Sequence, residues 1–144
     1  MTKKKAKTLA KVKAEAYSAL QQLVRLKAAD KDGQCECVTC GVILVWNKGM
    51  QGGHFIPKKL SSRWALVEEN VHPQCRGCNG YGMRYGDAAQ RYTVYMIDMY
   101  GREAVDHMLA TRHEAVNFKR EELEQMLEEY KKDIKIQKQR IGEL

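Results

Sequence analysis

The chain has 144 residues, 44% of them hydrophobic and 30% charged, with a net charge of +7 and a mean hydropathy of −0.58, the size and solvation of one modest domain with helical extensions. Its longest apolar run, Val42 to Trp46, is far too short to span a bilayer, and five cysteines without a secretory apolar segment argue for metal in a reducing compartment rather than for disulfides. A soluble, cytoplasmic protein with no membrane contact is expected, and the pI near 9.2 favours a polyanionic partner, nucleic acid first.

Residues 1–5 form a lysine-rich tip, predicted to fray. From Lys7 to Ala29 there is no Gly or Pro, and Leu9, Val12, Ala16, Leu20, Leu23 and Val24 recur at helical spacing. Lysines and Arg25 occupy much of the opposite face, which reads as solvated surface or, if it lies beside the site, as a DNA-tracking surface. Asp30-Lys31-Asp32-Gly33 stops the helix. Val42 to Trp46 is a β-branched strand candidate, Asn47-Lys48-Gly49 a turn, and Met50 to Ile56 the second strand of a hairpin, with His54 near its end. Pro57 breaks that strand, and Lys58, Lys59 and Arg63 make the following loop basic. A helix is expected to start close to Cys78-Asn79, giving the order strand, strand, helix in the centre. Helices over Asp87 to Tyr100 and Arg102 to Ala110 follow, parted by Gly101. Asn117 is placed to cap a last long helix, with Glu121 and Glu122 in its first turns. There Leu123, Leu127, Tyr130, Ile134 and Ile141 approximate a heptad seam, open to packing within the chain or to a coiled-coil dimer.

Two Cys-x-x-Cys pairs, Cys37/Cys40 and Cys75/Cys78, can each offer two thiolates from one tight turn, the usual recipe for a closed tetrahedral zinc site. Cys37 is preferred to Cys35 because Cys37-x-x-Cys40-Gly41 makes the proper knuckle; Cys35 either substitutes when Cys37 is lost or sits buried. The zinc would clamp the base of an insert carrying His54, Asn70 and His72. Phosphodiester hydrolysis needs an activated water, a Lewis acid on the phosphate and stabilisation of the leaving oxygen. An imidazole titrates near neutrality, which suits His54 to the general-base role. Asn79, directly after the last cysteine, offers a neutral oxygen to a hard cation such as magnesium or manganese. Asn70 would brace the loop that carries His54. Singly, a histidine in a basic loop is most often surface and an asparagine after a knuckle most often a cap; their order and spacing shift that balance. Lys58, Lys59, Arg63, Arg76 and Arg84 are candidates for phosphate contacts, which confer affinity and salt dependence but no sequence selectivity.

Gly53-His54-Phe55-Ile56-Pro57, then Asn70, then Cys75-Arg76-Gly77-Cys78-Asn79 resembles the HNH (ββα-metal) endonuclease motif, and resolvases like endonuclease VII also place Asn directly after the last zinc cysteine. More closely, the chain resembles the phage NinG/Rap recombination endonucleases from about Leu20 to Lys135, through LVRLKAADKDGQCECVTCG, the GHF segment, NVHPQCRGCN, YGDAAQRYTVYMIDMYGREAVDHM and NFKREELEQMLEEYKKDIK. The resemblance implies an α+β, mostly helical fold. A basic helix over 1–33 would precede a zinc-clamped ββα-metal core over 34–86 and a helical region over 87–144. It further implies an endonuclease for Holliday junctions and other branched DNA, working in phage recombination in the cytoplasm of an infected or lysogenic host. His54 takes the general-base position, Asn70 the central structural position and Asn79 the final ligand to catalytic magnesium or manganese. Paired cuts across a junction would suit a homodimer. HNH enzymes often carry a metal-ligating Asp before the base histidine; here that position is Gly53. His72, which the NinG/Rap pattern also shows, or Asp87 or Glu69 are the alternative ligands, and His72 could equally bond a phosphate. The absent carboxylate leaves open a non-catalytic zinc module that binds DNA, and a general HNH nickase of linear duplex is the other enzymatic reading.

Overall fold

The computed structural model describes residues 5–143, so the lysine-rich tip before Lys5 lies outside the described residues. Helix α1 (Leu9–Ala28) begins at Thr8, whose hydroxyl oxygen accepts from the Lys11 N–H at 3.2 Å. Its apolar face is buried under α5 (Arg120–Arg140): Val12, Ala16, Leu20 and Val24 form one cluster with Leu66, Val71 and Leu123. The heptad-like seam is therefore filled by α1 of the same chain. At the far end the Arg140 guanidinium donates to the Leu26 and Ala29 carbonyls, 2.8 Å each, satisfying acceptors at the α1 C-terminus. The expected cap at Asn117 is displaced. Phe118 packs against the α1 cluster, the backbone stays extended through Lys119, and the helix starts at Arg120, where the Glu122 carboxylate accepts from the Lys119 N–H.

The expected hairpin between Val42–Trp46 and Met50–Ile56 does not form. Strand β2 (Ile43–Val45) pairs antiparallel with β1 (Gln34–Glu36), an element the sequence pattern did not reveal, and β3 (Met50–His54) pairs antiparallel with β4 (Val71–Cys75). The cause is the first knuckle. The Gly41 N–H donates to the Cys37 carbonyl and the Cys37 N–H to the Val42 carbonyl, 2.9 Å each, which folds β2 back onto β1 and uses its edge. The fold is thus α+β and mostly helical, with two small two-stranded sheets.

The β3–β4 pair sets Gly53 opposite His72 and His54 opposite Val71. Because side chains alternate, Gln51, Gly53, His72 and Gln74 share one face and His54 and Val71 the other. Helix α1 covers the His54 face so closely that a Cβ at Gly52 would lie 2.7 Å from the Gln21 Cα, a contact only glycine permits. After β4 the chain passes through a π-helical turn (Cys78–Gly82) into α2 (Met83–Tyr85), then α3 (Ala88–Tyr100) and α4 (Arg102–Thr111). Tyr92, Met96, Val105 and Met108 close over Ile56 and Trp64. Among the described residues no helix is long and apolar enough to cross a membrane.

Leu123 is fully buried at the α1–α5 contact, whereas Ile136 on the same helix is 57% exposed. Leu123→Ala is expected to cost about 2–5 kcal/mol in urea denaturation, and Ile136→Ala less than about 0.5 kcal/mol; equal effects would mean that α5 does not dock as described.

Candidate functional site

The second knuckle arrives beside the first because β4 ends at Cys75. The sulfurs of Cys37, Cys40, Cys75 and Cys78 lie within 4.8 Å of one another, and the Cys40–Cys75 separation of 3.7 Å matches the edge of about 3.8 Å of a tetrahedron with Zn–S bonds of about 2.3 Å. The donor set and its spacing fit zinc. Thr39 Oγ1 lies 3.3 Å from Cys37 Sγ, and the Cys78 N–H donates to Cys75 Sγ at 3.4 Å. Burial and the neighbouring thiols push the Cys78 thiol up to about 12, a resistance to ionising that a divalent cation would remove. Cys35 stands apart. It is buried with Leu26, Trp46 and Met50, and burial pushes its thiol up to about 11.

His54 ends β3, half-buried, with Nε2 2.8 Å from the Ala65 carbonyl oxygen. A carbonyl can only accept, so Nε2 carries the proton and the neutral ring keeps its lone pair on Nδ1. Burial lowers the His54 pKa below its ordinary 6.5; the bond to Ala65 opposes that shift and the charge of Lys58 adds to it. Asn70, fully buried, clamps the segment after His54: its Oδ1 accepts from the Ile56 N–H at 2.8 Å, and its Nδ2 donates to the Ile56 and Trp64 carbonyls at 3.0 and 3.1 Å.

His72 faces the other side of the hairpin and meets α3. Tyr92 donates its hydroxyl proton to the Gly53 carbonyl at 2.7 Å, so its oxygen accepts from His72 Nδ1–H at 3.0 Å, and Tyr100 donates to His72 Nε2 at 2.7 Å. This relay needs a neutral ring, and burial holds the His72 pKa down to about 4. Both ring nitrogens are engaged, leaving neither free for a metal or phosphate in this arrangement. Of the other alternative ligands, Asp87 pairs with Arg91 at 3.1 Å, and Glu69 lines a cleft of about 610 Å³ with His72, Glu36 and Glu68. That cleft excludes His54 and Asn79, and its acidic rim repels polyanions.

Asn79 projects from the π-helical turn over the Gly53 face, with Nδ2 donating to Gln51 Oε1 at 2.8 Å. His54 and Asn79 therefore flank β3 from different sides and do not bond each other. Around His54 the surface is basic: Lys58 Nζ lies 5.0 Å and Lys13 Nζ 6.0 Å from the centre of the Tyr17 ring, which meets the His54 ring edge-on at 6.4 Å. The basic face of α1 does lie beside His54. Lys59 and Arg76 are exposed. Arg63 stacks on Trp64 at 4.1 Å with Glu114 at 3.9 Å, and exposed Arg84 lies 6.0 Å from the Tyr85 ring. The sequence reading missed Tyr81 and Tyr85, 73% and 70% exposed beside Arg84. It also missed Gln74, fully buried beneath Gly53, and the Ala65 carbonyl, which no side-chain pattern signals.

The family model of the bacteriophage lambda NinG protein matches residues 1–140. No curated protein and no solved structure matches the chain.

Removing the metal with a thiol-competitive chelator is expected to lower the thermal midpoint sharply and to dissolve both small sheets in circular dichroism; an unchanged melt would refute a structural zinc. His72 gives a separate signature. Between pH 6.5 and about 4 the unfolded ring binds a proton that the folded ring refuses, so stability is present at neutral pH and lost as pH falls through that window. The loss amounts to about 3 kcal/mol. His72→Phe should flatten this slope relative to wild type, measured as urea midpoints across the same pH range.

Proposed function

This chain belongs to the family of the bacteriophage lambda NinG protein, and from that premise we propose that it is a structure-specific DNA endonuclease of phage recombination, cutting four-way junctions and other branched DNA. The observation that carries the reading is the His54–Ala65 bond, which turns an ordinary histidine into an oriented base with Nδ1 free. The chain order β3, β4, helical turn, with His54 and Asn79 on it and the four-cysteine cluster at its base, supports the reading, because it is the order that a ββα-metal core would need.

His54 Nδ1 takes a proton from water, the resulting hydroxide attacks phosphorus, and the P–O bond to the sugar breaks to leave a phosphate monoester and a hydroxyl group. The leaving oxygen takes its proton from solvent. A magnesium or manganese ion held by the Asn79 amide oxygen would stabilise the charge on the phosphate. Asn70 holds His54 in place by fixing Ile56 two residues on. Lys58, Lys59, Arg63, Lys13, Arg76 and Arg84 would hold the backbone phosphates. The exposed Tyr81–Tyr85 pair offers a face on which an unpaired base at a branch point can stack.

Gly53, which puts no carboxylate opposite Asn79, favours as second reading a non-catalytic zinc module that binds branched DNA. The deciding experiment incubates the protein with a four-way junction and with a linear duplex of matching arms, with magnesium or manganese. Junction cutting alone is expected; equal cutting of both indicates a general nickase, and tight binding without cutting the binding module. His54→Ala should lower cleavage by about 10²–10⁴-fold with junction affinity unchanged and the fold retained in circular dichroism. In wild type the rate should rise with pH through an inflection below 6.5 and then level off, because His54 must be neutral to accept the proton. A plateau shifted above pH 7, or full activity in His54→Ala, would remove His54 from the base role.

A further inference from the structure

We propose that Gln74 supplies, from β4, the metal-facing oxygen that β3 lacks at Gly53, so that Gln74 Oε1 and Asn79 Oδ1 together seat a hard divalent cation distinct from the cysteine-bound zinc. The inference rests on the nuclease reading and deepens its metal site.

Gln74 is fully buried, and its Oε1 accepts no hydrogen bond from any described residue, the single such buried side-chain atom among them. A buried acceptor without a donor is rare enough in folded proteins to call for a ligand. The oxygen is also aimed. A Cβ built on Gly53 would fall 1.8 Å from Gln74 Oε1 and 2.9 Å from Asn79 Oδ1, so both amide oxygens flank the spot from which a residue-53 carboxylate would have to extend. Gly53 is therefore a complement to Gln74: a side chain at 53 and the Gln74 amide cannot occupy that volume together.

The orientation of both amides is fixed from behind. Asn79 gives its Nδ2 to Gln51 Oε1, which turns Oδ1 the other way. Gln74 Nε2 lies 3.4 Å from Thr39 Oγ1, and Thr39 Oγ1 lies 3.3 Å from Cys37 Sγ. A zinc-bound Cys37 is a thiolate and only accepts, so Thr39 donates to it and must accept from Gln74. The Gln74 NH₂ group then faces Thr39 and Oε1 faces Gly53. Zinc loading thereby orients the second site. Two neutral oxygens suit magnesium or manganese over softer metals.

The test uses the zinc-loaded full chain and manganese alone, with the free aqueous Mn²⁺ signal in electron paramagnetic resonance reporting occupancy. Wild type should bind one manganese beyond its zinc. Gln74→Ala should weaken that site about tenfold or more and Gln74→Glu tighten it by a similar factor, with zinc content unchanged in both. The pair Gly53→Asp with Gln74→Gly, moving the ligand back to β3, should bind better than Gln74→Gly alone. Wild-type binding that survives in Gln74→Ala and weakens in Gln74→Glu overturns the role of Gln74 while leaving a metal site at Asn79 intact. No manganese site in wild type overturns both this inference and the metal-dependent reading beneath it.

Discussion

The structure depends on four sulfurs converging from two knuckles 35 residues apart between Cys40 and Cys75. Strands β1 and β2 have three residues each and β3 and β4 five, which is little sheet to hold an insert of that length. A cation shared by the four thiolates would supply what the small sheets do not. The cysteine cluster also reaches beyond the local fold. Cys75 ends β4, Asn79 follows Cys78 directly in the helical turn, and Thr39, inside the first knuckle, reaches both Cys37 and Gln74. The clamp and the face above Gly53 are one mechanical unit.

On the rest of β3 the positioning comes from buried polar networks. The Tyr100–His72–Tyr92 relay ends on the Gly53 carbonyl, one residue before His54, and Asn70 grips both main-chain groups of Ile56, two residues after it. His54 is held from both sides along the chain, with its ring fixed by Ala65. Such bracing by satisfied buried groups holds the ring in one orientation, as the proposed base role would require. It also explains a histidine as inaccessible as His72: its service is to stay neutral and to pass one hydrogen bond on to the next.

Residues with strong local grammar were legible in the sequence. The helices α1, α3 and α4 follow from apolar spacing and from Gly33 and Gly101, and the cysteine cluster from two knuckles. Strand pairing was not legible, because periodicity gives a strand no address: Ile43–Val45 pairs backwards across the knuckle with a stretch around Cys35 that has no strand signature. The α5 start was misplaced for a related reason, since Asn117 has the better cap chemistry and Phe118 the stronger tertiary contact. In the candidate site, the positions of His54, Asn70 and Asn79 could be singled out from order and spacing. Their partners could not, because a backbone carbonyl at Ala65 and a buried amide at Gln74 carry no mark in sequence.

The net charge of +7 understates how unevenly the charge is spread. Glu36, Glu68 and Glu69 line the cleft on the His72 side, and Glu121, Glu124, Glu128 and Glu129 a groove on α5, while Lys13 and Lys58 border His54. On the proposed reading, a polyanion would be drawn to the edge that carries His54 rather than to the acidic cleft and groove. Lys58 has a second effect there. Its charge, added to the larger effect of burial, helps keep the His54 ring neutral. An anion docking against Lys58 would weaken that contribution and leave burial, the larger effect, opposed by the bond to Ala65.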